Sequence, residues 1–146
     1  MGRLGRLFGS KAQDVRSSIT RDEAFRVLRS NLLVALTDLH SPVVIVTSAL
    51  AGEGKTATST SLALSLAAAG QRTVLVDLDF RNPDAHRRVG GHNERGAADA
   101  LTGRIPLEDC LQYISVPSPD GGDPKGLYFL AAGSDVANPT ELLAGG

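Results

Sequence analysis

Ser48-Ala49-Leu50-Ala51-Gly52-Glu53-Gly54-Lys55-Thr56 decides the fold because of what stands on either side of it. Before it, Val43-Val44-Ile45-Val46-Thr47 is a β-branched run of the kind buried on both faces of a parallel sheet, and Ser41-Pro42 interrupts any helix upstream. After it, Leu62, Leu66 and the Ala63/Ala67 pair are spaced for a helix over Lys55–Ala69, with Gly70 where a C-cap glycine belongs.

A strand that enters a glycine loop, which in turn opens a helix, gives Gly-x-Gly-Lys-Thr its phosphate-binding meaning. Glycines let successive amides turn toward one centre, and the helix start adds roughly half a positive charge. On this reading Ala51, Gly52, Glu53, Gly54, Lys55, Thr56 and Ala57 form the nucleotide cradle. Lys55 reaches the β- and γ-phosphates, and the Thr56 hydroxyl ligates Mg²⁺. The common motif has a glycine five residues before Gly54, where this chain has Ala49. The plain alternative is an ordinary loop with an exposed lysine.

Working outward, Thr73–Val76 reads as a second buried strand. Strand, helix and strand then make a right-handed βαβ unit, the element of a doubly wound α/β fold with a mostly parallel sheet flanked by helices. This second strand runs into Asp77 and Asp79, separated by one residue and hence expected to point the same way at the edge that carries the phosphate loop. Two such carboxylates repel unless a cation lies between them, and the Mg²⁺ of Mg-ATP supplies it. One carboxylate can then hold the metal while the other accepts a proton from an attacking hydroxyl. Solvated acids paired with Arg81 are the structural alternative.

Further along, Ala97–Leu101 and Pro106–Leu111 read as short helices around Thr102-Gly103, Pro117–Gly126 as a loop, and Leu127–Ala131 as a strand. Asn138 to Leu143 starts another helix, which suggests a domain truncated at its C-terminal side. Upstream, Glu23–Leu39 is an amphipathic helix with Phe25, Leu28, Leu32, Leu33 and Leu36 on one face.

Composition agrees with a globular α/β chain. Hydrophobic residues make up 42% and aromatics only 4%, so the core is built from Leu, Val, Ile and Ala. The net charge of −1 provides no bulk attraction to nucleic acid. Arg3, Arg6, Lys11, Arg16 and Arg21 against Asp14 form a basic lead-in, flexible and solvated or placed near an anionic membrane surface. A single cysteine, Cys110, excludes an intrachain disulfide and fits a reducing cytoplasm. No apolar run is long enough to enter a membrane. His40, His86 and His92 share no metal-ligand spacing and read as surface residues, as do Glu108 and Asp109. Tyr113 and Tyr128 read as core or sheet residues.

Together these features resemble the cytoplasmic domain of bacterial tyrosine kinases (BY-kinases), the P-loop autokinases of capsular and extracellular polysaccharide synthesis. The family's A motif matches Ser48–Thr56, including the substitution at Ala49. Its A′ motif, three apolar residues followed by Asp-x-Asp-x-Arg, matches Val74–Arg81. Its oligomerisation signature Glu-x-x-Arg-x-x-Arg matches Glu23, Arg26 and Arg29.

The resemblance implies a protein-tyrosine kinase using ATP and Mg²⁺, with Lys55, Asp77 and Asp79 catalytic. It places Thr56, Asp77 and Asp79 on the metal and Arg81 at the nucleotide. Implied partners are neighbouring subunits of a homo-oligomeric ring, protein tyrosines, and a transmembrane adaptor of the polysaccharide co-polymerase type that would bring a cytoplasmic protein to the inner face of the plasma membrane. Residues 1–20 are then the basic, flexible segment and 21–146 the N-terminal part of the kinase domain. The family's Walker B strand and tyrosine tail are absent, so activity of this chain alone is in doubt. With Met1 so close to Glu23, the chain looks like the stand-alone form that depends on a separate adaptor.

Two other classes compete. A partitioning or septum-positioning ATPase switch shares the fold, but its signature lysine would stand where Leu50 is. A nucleotide-binding module without chemistry is the third.

Overall fold

The computed structural model describes residues 21–133 and 138–144. The chain divides into two compact units, one ending at Val44 and one beginning at Ile45. The basic segment expected over residues 1–20 lies outside the described residues.

In the first unit, residues 21–35 form helix α1, four residues shorter at its C-terminal end than the amphipathic pattern suggests. Phe25, Leu32, Leu33 and Leu36 are half-buried, while Leu28 is exposed.

The boundary between the units falls within the run expected as the first strand. The run Val43–Thr47 forms no strand, and Val43 and Ile45 are 86% and 82% exposed. A β-branched run carries the propensity for a strand, but a strand exists only when a neighbour supplies the hydrogen-bond ladder. No described strand pairs with this one, so the expected βαβ unit is not formed.

Parallel pairing arises elsewhere. Helix α2 (Lys55–Ala68) is followed by strand β1 (Thr73–Val76), short helices α3 (Ala85–Val89), α4 (Ala97–Leu101) and α5 (Leu107–Cys110), strands β2 (Leu111–Val116) and β3 (Lys125–Leu130), and helix α6 (Pro139–Ala144). The sheet order is β1-β3-β2, with β1 and β3 parallel and β2 and β3 antiparallel. The strand expected at Leu127–Ala131 begins two residues earlier, and α3 has no clear signal in the sequence.

Helix α2 ends as its sequence foretells. Gly70 adopts φ +81°, its N–H donates to the Ala67 carbonyl at 2.8 Å, and the Gln71 N–H donates to that of Leu66 at 3.0 Å. This paired arrangement satisfies two of the orphan carbonyls at the helix end and turns the chain back toward β1.

One face of the sheet packs under α2 and α3, where Ala63, Ala67, Leu75, Ala85, Val89, Val116, Leu127 and Phe129 make the main core. On the other face, Leu130 joins Ala97 and Cys110 in a smaller cluster under α4 and α5. The rest of that face is open: Val74 is 54% and Tyr113 62% exposed, and β1 is thus buried on one side only. Tyr113 and Tyr128 sit opposite each other in register with ring centroids 5.6 Å apart, edge to face. They are sheet residues, as expected, but not core residues.

The segment after β3 substitutes for a helix cap. The first two amides of α4, from Ala97 and Ala98, donate to the carbonyls of Ala131 and Ala132 at 2.8 and 2.9 Å. A helix start normally leaves these groups unsatisfied. Asp99, buried, accepts the Gly96 N–H at 2.9 Å and pairs with Arg104 at 3.2 Å. Asn93 closes the same corner by donating to the Gly133 carbonyl at 3.2 Å and accepting the Gly133 N–H at 3.1 Å.

Candidate functional site

The 14-residue helix α2 begins without a side-chain cap and with no acidic residue in its first turn. Its first helical bond runs from the Thr58 N–H to the Gly54 carbonyl at 2.8 Å. The amides of Lys55, Thr56 and Ala57 therefore precede the intrahelical ladder and are available to an anion. Gly52 and Gly54 hold φ of +81° and +89°, values other residues rarely adopt, and the space a Cβ would fill is open at both. Two left-handed glycines thus shape the loop, and an uncapped helix start supplies partial positive charge beside it.

Side chains brace the loop from within. The Lys55 ammonium donates to Ser48 Oγ at 3.0 Å, and the Ser48 hydroxyl donates to the Leu50 carbonyl at 2.9 Å. Glu53 Oε2 accepts the Leu50 N–H at 3.1 Å. Thr56 is half-buried, and its backbone carbonyl accepts the Thr60 hydroxyl at 2.6 Å.

The tight turn at Gly70 sends α2 back along β1, so the start of α2 and the C-terminal end of β1 share one end of the unit. That end carries the acidic pair, but not in the expected geometry. The strand stops at Val76, and the alternation rule that would aim Asp77 and Asp79 together no longer applies beyond it. Asp77 is only 8% exposed; Asp79 is exposed.

Asp77 is built into the turn on every side. Its N–H donates to the Leu130 carbonyl at 2.9 Å, its Oδ1 accepts the Asp79 N–H at 3.0 Å, and its Oδ2 accepts the Ala85 N–H at 3.2 Å. Asp79 Oδ1 accepts the Asn82 N–H at 3.0 Å. An open cavity of about 280 Å³ lies beside it, lined by Leu78, Asp79, Phe80, Arg81, Pro139, Thr140 and Leu143.

Among the described residues, no group of three or more His, Cys, Asp or Glu side chains could by itself hold a metal ion. Mg²⁺ is commonly held by one or two carboxylates together with substrate phosphate oxygens. The Thr56 hydroxyl and the exposed Asp79 carboxylate are oxygen donors of the kind Mg²⁺ takes.

Glu23, Arg26 and Arg29 stand on α1 in the first unit, where Glu23 and Arg26 pair at 3.5 Å with both side chains more than half exposed. Three features escaped the sequence reading. They are the Ser48 brace, the Asp77-to-Ala85 bond, and the half-buried His86, whose Nδ1 has no hydrogen-bond partner. None of the three had a local signal in the sequence. Among the described residues, no helix is long and apolar enough to cross a membrane.

Comparison with known proteins supports the same reading. Residues 44–119 match the CobQ/CobB/MinD/ParA nucleotide binding domain. The chain is 32% identical over 122 residues to the tyrosine-protein kinase YwqD of Bacillus subtilis, covering 84% of this chain and 48% of that protein. It is 29% identical over 121 residues to the tyrosine-protein kinase etk of Escherichia coli K12, covering 83% of this chain and 16% of that protein. The solved kinase domain of Escherichia coli tyrosine kinase ETK superposes with a TM-score of 0.73 at 29% identity, over 85% of this chain and 46% of that domain. The chain therefore spans about half or less of each of these relatives.

Proposed function

Because the chain belongs to the CobQ/CobB/MinD/ParA nucleotide binding domain family, we propose that it is the Mg-ATP-binding part of a protein-tyrosine kinase serving capsular or extracellular polysaccharide synthesis. The observation that carries this is the uncapped start of α2 behind two left-handed glycines, with the Lys55 ammonium held beside it. Polyphosphate is the ligand such an arrangement suits. The names of YwqD and ETK supply the tyrosine-kinase class.

In this reading Ala51, Gly52, Glu53, Gly54, Lys55, Thr56 and Ala57 cradle the phosphates, and Lys55 neutralises charge on the transferred group. Mg²⁺, when bound, supplies charge neutralisation across the phosphates, held by Thr56 with Asp77 and Asp79. Exposed Asp79 is the carboxylate free to take the proton of an incoming phenol, while Asp77 keeps the turn in place. Arg81, at the rim of the cavity beside Asp79, faces the nucleotide or its acceptor. Glu23, Arg26 and Arg29 serve self-association. Residues 21–146 act as the kinase portion behind a basic segment at 1–20, cytoplasmic and brought to the membrane by a separate transmembrane adaptor.

The test is incubation with Mg-ATP followed by immunoblotting for phosphotyrosine, alongside a Mg-ATP titration. Phosphotyrosine supports the kinase, phosphate release alone points to an ATPase switch, and binding without either identifies a regulatory module. Absence of binding removes the whole proposal.

A further inference from the structure

Leu50 sits at the tip of the phosphate loop with its side chain 69% exposed, so packing does not fix its position. Its backbone is fixed instead, at both polar groups, by side chains from either end of the same loop. Glu53 Oε2 accepts the N–H at 3.1 Å, and the Ser48 hydroxyl donates to the carbonyl at 2.9 Å. Ser48 also receives the Lys55 ammonium at 3.0 Å.

We infer that Glu53 and Ser48 are positioning residues that hold the 48–55 loop in its phosphate-binding shape before nucleotide arrives; this rests on the nucleotide-binding role proposed above. An acid inside an anion-binding loop is electrostatically unfavourable toward phosphate. A fixed task for its carboxylate explains its presence. Ordering backbone residues costs conformational entropy, so a loop ordered in advance binds more tightly than one that orders on contact. The Ser48 relay also keeps the Lys55 ammonium at the loop, where one of its three N–H groups is engaged and the others are left for phosphate.

The test compares Glu53→Gln with Glu53→Ala in the full chain. Both variants remove the same charge, but only glutamine keeps an acceptor oxygen for the Leu50 N–H. Two readouts are needed: hydrogen exchange of the Leu50 amide without nucleotide, and the Kd for Mg-ADP. Glu53→Ala is expected to exchange the Leu50 amide about five- to tenfold faster than Glu53→Gln and to bind Mg-ADP weaker by a similar factor, with an unchanged melting temperature. Ser48→Ala should behave like Glu53→Ala.

Equal Mg-ADP affinity in the two Glu53 variants overturns the positioning role while nucleotide binding stands. An affinity difference without an exchange difference overturns it as well, because the Leu50 clamp is then not the cause. A wild-type chain that fails to bind millimolar Mg-ADP overturns the nucleotide reading itself, and the positioning role with it.

Discussion

Asp77 and Ala85 are joined across eight residues, the Asp77 Oδ2 accepting the Ala85 backbone N–H at 3.2 Å while the carboxylate as a whole is nearly excluded from solvent. This one bond ties the turn after β1 to the first residue of α3. It also separates the two acids of the A′ motif, since Asp79 has no comparable anchorage.

Asp77→Ala strands the buried Ala85 N–H, which costs about 1–3 kcal/mol, and also removes the acceptor of the part-buried Asp79 N–H at a smaller cost. The substitution should lower unfolding stability by about 2–4 kcal/mol. Asp79→Ala removes one exposed turn bond and should cost under about 1 kcal/mol. Both should depress phosphotransfer, Asp77 replacement lowering turnover more than nucleotide affinity. Urea denaturation and a single-turnover assay read the two effects separately, and equal stability losses would contradict the division of roles.

Lys55→Met removes the ammonium but keeps a long side chain on a half-buried helix start. The melting temperature should move little, because the lost bond to Ser48 is local to the loop. ATP-dependent phosphorylation should disappear. Persistent phosphotyrosine with normal ATP affinity would remove Lys55 from the mechanism.

Gly96→Ala places a Cβ 2.1 Å from the Ala131 carbonyl oxygen and 2.7 Å from the Gly133 nitrogen, both backbone atoms that cannot step aside. Overpacking of this kind should cost about 3 kcal/mol. Thermal unfolding measures it, and a near-neutral result would mean that α4 does not lie against the end of β3.

Cys110 is fully buried, and desolvation, followed by the nearby Asp99 carboxylate, raises its thiol pKa. A raised folded-state pKa means that the folded protein holds the proton more tightly than the unfolded chain. The contribution to stability is complete below the unfolded value and is lost as pH climbs through the folded one. Stability should decline above about pH 9 by this route, less so in Cys110→Ala. At pH 8 an aromatic disulfide reagent should label the thiol only as the protein unfolds, and rapid labelling of folded protein would refute the burial.

Arg26→Glu reverses the charge opposite Glu23 on an exposed helix face. The Glu23–Arg26 pair is solvent-exposed and contributes little to the helix itself. Mg-ATP affinity should be unchanged while self-association falls, as read by light scattering. Unaltered assembly would exclude this face from the interface.

The local pattern was enough for the phosphate loop, for α2 and its glycine stop, and for the identity of the acidic turn. Each depends on neighbours within a few residues, where glycine conformation, helical spacing and the N-terminal dipole operate. Val43–Thr47 shows where local pattern stops: the residues favour a strand, yet strand formation needs a partner that no local signal can supply.

Asp77 and Asp79 make the same distinction at the site. Sequence alone determined that two carboxylates follow an apolar strand at the end that carries the phosphate loop. Tertiary structure alone decided that one is drawn inward to bind two backbone amides while the other stays in solvent. Desolvating a carboxylate is tolerated only where donors meet it, and the Ala85 amide that completes the pair is brought there by the fold.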